Sequence, residues 1–203
     1  MKTKIRILGL LSAAVLLLVC FAFKPIEEKK IIVIDAGHGG YDVGKDLYGF
    51  EEKTITEAVA KKIKELNTNA NVEIILIRDG DISMELKERA SIINNLKPDL
   101  AISIHVNYNS NMKANGIQAF IPSNEITRDK SKEIAETIVD KLVATGNLQK
   151  RNTTEAPFYI LKNVNCPVMT LEIGFLSNEK DRNYITSEKG QTEIANKILE
   201  AVK

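Results

Sequence analysis

This 203-residue chain contains two histidines, His38 and His105. Each falls where a strand-like run stops: His38 just past 31–35 (IIVID), His105 at the end of 100–105 (LAISIH). A third unusual residue, Glu172, lies inside the apolar run 168–173 (VMTLEI). An ionised carboxylate among apolar neighbours is costly unless it is paired or faces a cation. Two imidazoles and one carboxylate form a common donor set for catalytic zinc, with a fourth position left for water. Glu51 and Glu52, in GFEEK, offer further carboxylates. Residue types leave two arrangements open. Either Glu51 or Glu52 completes a metal set and Glu172 acts on water, or Glu172 is the ligand and Glu52 the base.

The contexts of these residues sharpen the reading. His38 sits in Gly37-His38-Gly39-Gly40, where missing Cβ atoms leave room around an imidazole and permit tight turns. A phosphate loop is a poor alternative, because neither G-K-[ST] nor G-x-G-x-x-G is present. On the run 100–105, Ala101 and Ser103 share the face of His105, and Leu100, Ile102 and Ile104 share the other. His105 should therefore extend from a cramped, buried layer.

Strand-like and helical patterns alternate around these positions. Short apolar, β-branched runs predict strands at 31–35, 72–77, 100–105, 117–122, 158–161 and 168–173. Helical spacing predicts helices over 54–66, with Thr54 as N-cap, and over 84–96, 128–143 and 188–203. Alternating units whose strands are apolar on both faces predict a single-domain α/β three-layer sandwich, with a mostly parallel or mixed sheet and helices on both sides. Ligands of such sheets bind outside the carboxyl ends of the strands. His38, His105 and Glu172 should thus meet at one edge. Asp35 and Ser103 are candidates to brace the histidines, or strand-end polar residues satisfied by backbone. Asn107 either faces a substrate or serves a turn. Arg78 and Arg89 read as structural ion pairs, and helix charges such as Lys61, Lys62 and Lys64 as solvated faces.

The N-terminus reads as an address. Lys2, Lys4 and Arg6 precede an apolar run from Ile7 to Val19. That run is short of the ~20 residues of a membrane span and suits a signal-peptide core. Residues 1–23 are expected to be a signal peptide cleaved after Ala22, an uncleaved anchor, or a leader removed before Cys20, which becomes a lipidated first residue. A polar linker, 24–29, follows, and the folded domain is expected over 30–203. Lys+Arg number 28 against 27 Asp+Glu, a formal charge of +1. This balance excludes a nucleic-acid binder held by a basic face. The absence of Trp excludes a tryptophan-lined sugar cleft. If Cys20 is removed, Cys166 is alone and no internal disulfide can form.

IDAGHGGYDVG, GFEEK, ISIHVN and LEIGFLSN, in this order, resemble the zinc-dependent N-acetylmuramoyl-L-alanine amidases of cell division and sporulation (amidase 3 type). The resemblance covers about residues 30–203. It implies one Zn²⁺ held by His38, Glu52 and His105, with Glu172 as the catalytic acid/base. It implies hydrolysis of the amide between N-acetylmuramic acid and the L-alanine of the peptidoglycan stem peptide. Ala36 stands where the family usually has Pro. The implied setting is the periplasm or cell envelope, with contact to membrane only through the N-terminal segment, no nucleic acid, and room for a protein activator. The 35 residues between Pro122 and Phe158 are expected to hold one helix, too few for an autoinhibitory insert. Rival readings are another zinc hydrolase, such as a metallopeptidase or deacetylase, or a binding module that kept the fold without the chemistry.

Overall fold

The computed structural model describes residues 29–202. The predicted signal or anchor and most of the linker lie outside the described residues. Among those described, no helix is long and apolar enough to cross a membrane.

Six strands form one sheet in the order β4-β1-β5-β8-β6-β7. They are β1 (Lys30–Ala36), β4 (Val72–Leu76), β5 (Leu100–Asn107), β6 (Gln118–Ile121), β7 (Thr154–Glu155) and β8 (Val168–Phe175). β4, β1, β5 and β8 run parallel, while β6 is antiparallel to β8. A separate antiparallel ribbon joins β2 (Asp46–Leu47) to β3 (Phe50–Glu51). The helices are α1 (Glu52–Leu66), α2 (Leu86–Leu96), α3 (Glu125–Val143), α4 (Tyr159–Asn163), α5 (Glu179–Ile185) and α6 (Glu188–Val202). The predicted mixed-sheet α/β sandwich is the observed architecture.

Alternation along the strands explains the layers. Ile32 and Ile34 of β1, Leu100, Ile102 and Ile104 of β5, and Met169, Leu171 and Ile173 of β8 pack into one core under α1, α3 and α6. Val33, Ala101 and Val168 face the other way, into a smaller core with Ile93 of α2 and Ile160 and Leu161 of α4. On that second face the chain changes character toward the carboxyl ends. Val33 gives way to Asp35, Ala101 to Ser103 and His105, and Val168 to Thr170 and Glu172. Strand side chains repeat every second residue, so these polar groups share one face and one edge.

Several boundaries differ from the sequence expectation. Residues 158–161 are not a strand. Tyr159–Asn163 is a one-turn helix, with the Val164 amide donating to the Ile160 carbonyl, and Ile160 and Leu161 buried in the smaller core. A short apolar run carries too little periodicity to tell the two apart. Thr54 is not a cap: α1 starts at Glu52, behind Glu51. Its first amides are satisfied by loop carbonyls, Glu52 N–H by Lys45 and Lys53 N–H by Val43. The predicted helix at 128–143 starts earlier, at Glu125, where the Asn124 side chain accepts from the Ile126 amide.

Candidate metal centre

His38 follows β1 in the glycine loop and has φ 60°, uncommon for a residue with a Cβ. Two buried guanidinium groups hold the loop in this shape. Arg78 Nε donates to the Ala36 carbonyl at 2.9 Å and Arg78 Nη2 to that of Gly37 at 3.1 Å. Arg89 Nη1 donates to Ala36 O at 2.8 Å and Nη2 to His38 O at 2.5 Å. Three successive carbonyls, at Ala36, Gly37 and His38, are thus fixed from beneath. Arg78 is paired with Glu57 and Arg89 with Asp35. Both arginines are ion-paired, and they also clamp the loop, which residue types did not reveal.

Glu52, the first residue of α1, is buried and takes part in four polar contacts. Its Oε1 lies 3.1 Å from His38 Nε2 and 3.1 Å from His105 Nδ1. The same oxygen accepts the Val106 amide at 2.9 Å, and Oε2 accepts the Lys45 amide at 3.0 Å. One potential ligand atom from each of His38, Glu52 and His105 falls within 4.8 Å of the others. The two imidazoles meet edge to face, 5.0 Å between centroids. Glycines make this approach possible. A Cβ on Gly37 would lie 2.5 Å from Cε1 of His105, and one on Gly44 2.6 Å from Cδ2 of His38.

Of the two adjacent glutamates, the structure brings Glu52 to the histidines and not Glu51, whose carboxylate lies 3.7 Å from Lys53 Nζ. Glu172 pairs in register with His105 across β5 and β8. Its Oε2 is buried and has no hydrogen-bond partner. Asp35 does not bond to either ring. It accepts from Arg89 and from Ser103 Oγ, the latter at 2.7 Å. The group that holds a ring is Asp42, with Oδ2 2.9 Å from His38 Nδ1. No pattern in the sequence singled out Asp42, which is a loop residue four positions on. The Asn107 side chain accepts the Tyr108 amide, a turn contact.

The electrostatics follow from crowding charge out of water. Burial alone would push His38 down, but Glu52 and Asp42 outweigh it and lift its pKa to about 9. His105 is also raised, with burial opposed by Glu52 and by the charge of Glu172. Burial works to raise Glu52, yet both imidazoles hold it well below the usual carboxylate range. Burial lifts Glu172 to about 7, only partly offset by His105. The cluster therefore demands positive charge, which two protonated imidazoles or one divalent cation can supply. A set of two nitrogens and one oxygen suits zinc, so the residues present fit such an ion.

The centre opens on a cleft of about 540 Å³ bordered by Tyr41, Asp42, Ser83 and Glu85. A smaller, more apolar hollow of about 270 Å³, walled by Leu86, Phe158 and Tyr159, reaches Glu172.

A sequence profile described as N-acetylmuramoyl-L-alanine amidase matches residues 32–203. The chain belongs to this family of hydrolases. A germination-specific N-acetylmuramoyl-L-alanine amidase of Bacillus subtilis (strain 168) is 28% identical over 232 residues, covering 100% of this chain and 95% of that protein. The amidase crystal structure from Clostridium difficile 630 superposes with a TM-score of 0.81 at 30% identity, over 86% of this chain and 95% of that one. The CwlD amidase from Clostridioides difficile, solved in complex with the GerS lipoprotein, gives 0.78 at 32% identity, over 86% and 96%.

Proposed function

We propose that this amidase is a zinc-dependent peptidoglycan hydrolase that cuts the amide between N-acetylmuramic acid and the L-alanine of the stem peptide. The observation that carries the reading is Glu52, a buried carboxylate shared by His38 and His105. Beside them stands the buried, unpartnered Oε2 of Glu172.

His38, Glu52 and His105 would hold the ion, with Asp42 fixing the ring of His38 through Nδ1. Bound zinc supplies Lewis acidity there: it lowers the pKa of coordinated water and stabilises negative charge on a carbonyl oxygen. Glu172 does the proton work. Burial holds its carboxyl above the usual carboxylate range in the metal-free chain, which suits a group that accepts a proton and gives it up again. It takes the proton of the attacking water and passes it to the departing L-alanine nitrogen, so that the amine leaves neutral. The surrounding wall of Leu86, Phe158 and Tyr159 limits water near that transfer.

We place the chain outside the cytoplasm, where peptidoglycan lies, and assign residues 1–23 to export or tethering and 30–203 to catalysis. The complex of the similar CwlD with a lipoprotein makes a protein activator part of the proposal. Mass spectrometry of products from purified sacculi tests the reading. Free stem peptides beginning with L-alanine should appear, vanish with a chelator and return with Zn²⁺. Products cut at a glycosidic bond or within the peptide would overturn it.

A further inference from the structure

A second concavity, of about 900 Å³, lies beyond the metal centre at the carboxyl edge of the sheet. Its walls are three segments that adjoin the centre. The β2–β3 ribbon, which runs directly into Glu52, contributes Tyr48 from its tip. The stretch after β8, the strand of Glu172, contributes Ser177, Asn178, Glu179, Lys180, Arg182 and Asn183. The loop after β5, the strand of His105, contributes Met112 and Lys113.

The charge of this groove is one-sided. Lys113, Lys180 and Arg182 line it against a single acid, Glu179. Lys113 and Lys180 are exposed and form no ion pair among the described residues. Arg182 is already ordered: its guanidinium stacks over the Tyr48 ring at 4.3 Å, and Nη1 donates to the Leu176 carbonyl at 3.1 Å. Between groove and centre stands a fourth cation, Lys45. Its backbone amide is bonded to Glu52, and its ammonium lies 3.9 Å from the centroid of Tyr108, at the start of the loop that carries Lys113. The whole chain carries a formal charge of only +1, so this local excess of cations stands out against a neutral background.

We propose that this groove is a subsite for the carboxylates of the stem peptide, read by Lys113, Lys180 and Arg182. The inference rests on the amidase reading above and deepens it by saying which side of the centre takes the peptide. Ser177 lies five positions beyond Glu172, so the groove begins within roughly 17 Å of it along an extended chain, a span that a peptide of about five residues covers. Stem peptides carry free carboxylates on their glutamate side chain and at their end unless these are amidated. The saccharide then extends the other way, toward the cleft bordered by Tyr41 and Ser83.

The test compares two synthetic substrates, N-acetylmuramoyl pentapeptides with all carboxylates free or all amidated, on the zinc-loaded chain and on the Lys113→Glu, Lys180→Glu double variant. Exposed pairs are weak singly, so the variant should raise KM about five- to tenfold on the free-acid substrate, with kcat unchanged. It should leave KM on the amidated substrate alone, and the difference should shrink in high salt. The milder Lys113→Gln, Lys180→Gln variant should show a smaller shift of the same kind. Equal changes on both substrates, or none on either, would overturn the subsite while leaving the amidase reading intact. Failure of the unaltered chain to release peptide from either substrate would overturn that reading, and the subsite with it.

Discussion

The imidazole of His105 rests on Gly37, so close that a Cβ at position 37 would stand 2.5 Å from Cε1. The φ of Gly37 is not positive, so alanine there would strain the packing and not the backbone. Gly37→Ala should therefore act on the ring. Overpacking of this kind costs about 1–3 kcal/mol, and here it is relieved by pushing His105 away from Glu52. Zinc affinity should fall at least about tenfold, a loss of about 1.4 kcal/mol, while the thermal midpoint of the metal-free chain drops by only a few degrees. Competition titration with a chromophoric chelator measures the first and calorimetry the second. Unchanged zinc affinity would mean that His105 is free to shift and still ligate.

Glu172→Gln removes the proton acceptor and keeps the shape. The variant should bind one zinc per chain as tightly as the unaltered protein and lose about 10²–10⁴-fold in kcat. His38→Ala should lose both metal and turnover. Elemental analysis after gel filtration, run beside a muropeptide release assay, separates the two classes. A Glu172→Gln variant with normal turnover would take Glu172 out of the reaction.

Arg89 reaches Asp35, Ala36 and His38 at once, and both it and Asp35 are buried. Arg89→Met leaves the Asp35 carboxylate without its partner and should cost about 3–5 kcal/mol. Adding Asp35→Asn removes the stranded charge and should restore part of the stability. It should not restore zinc affinity, because the His38 carbonyl still lacks its clamp. Urea melts and zinc titrations of the two single variants and the double variant decide this. Full recovery of metal binding in the double variant would show that the clamp on His38 is dispensable.

These relationships were not equally legible in the chain itself. β1, β5 and β8 announce themselves because strands buried on both faces read as apolar runs, and the strand-end rule then places His38, His105 and Glu172 at one edge. That Glu52 and not Glu51 joins them depends on where α1 begins, and its start carries no side-chain cap to mark it. Residues 158–161 read as a strand yet begin a helical turn, because four apolar residues fit both equally well. Asp42 and the two arginine clamps were hidden for a different reason. Arg78 and Arg89 bond loop backbone more than 40 positions away, and Asp42 meets the His38 ring inside an irregular loop, so no local periodicity encodes either pairing.

Protons and zinc should compete for this centre, and the sign can be worked out. In the metal-free chain His38 titrates near 9 and His105 above its ordinary 6.5, while Glu52 is depressed. A raised histidine stabilises the fold fully below about 6.5 and loses that contribution as pH climbs through its folded value; a depressed carboxylate contributes above about 4.5. Glu172, raised to about 7, takes stability away as pH climbs from about 4.5, so the metal-free chain should be most stable near pH 5 and weaken steadily toward pH 9. Zinc replaces the protons, so the loaded chain should not weaken over that interval, and binding at pH 7 should release more than one proton per ion. Calorimetric titration in buffers of different ionisation enthalpy counts those protons. Release of none would show that the imidazoles are already neutral, and that something other than two protonated histidines balances the charge of Glu52.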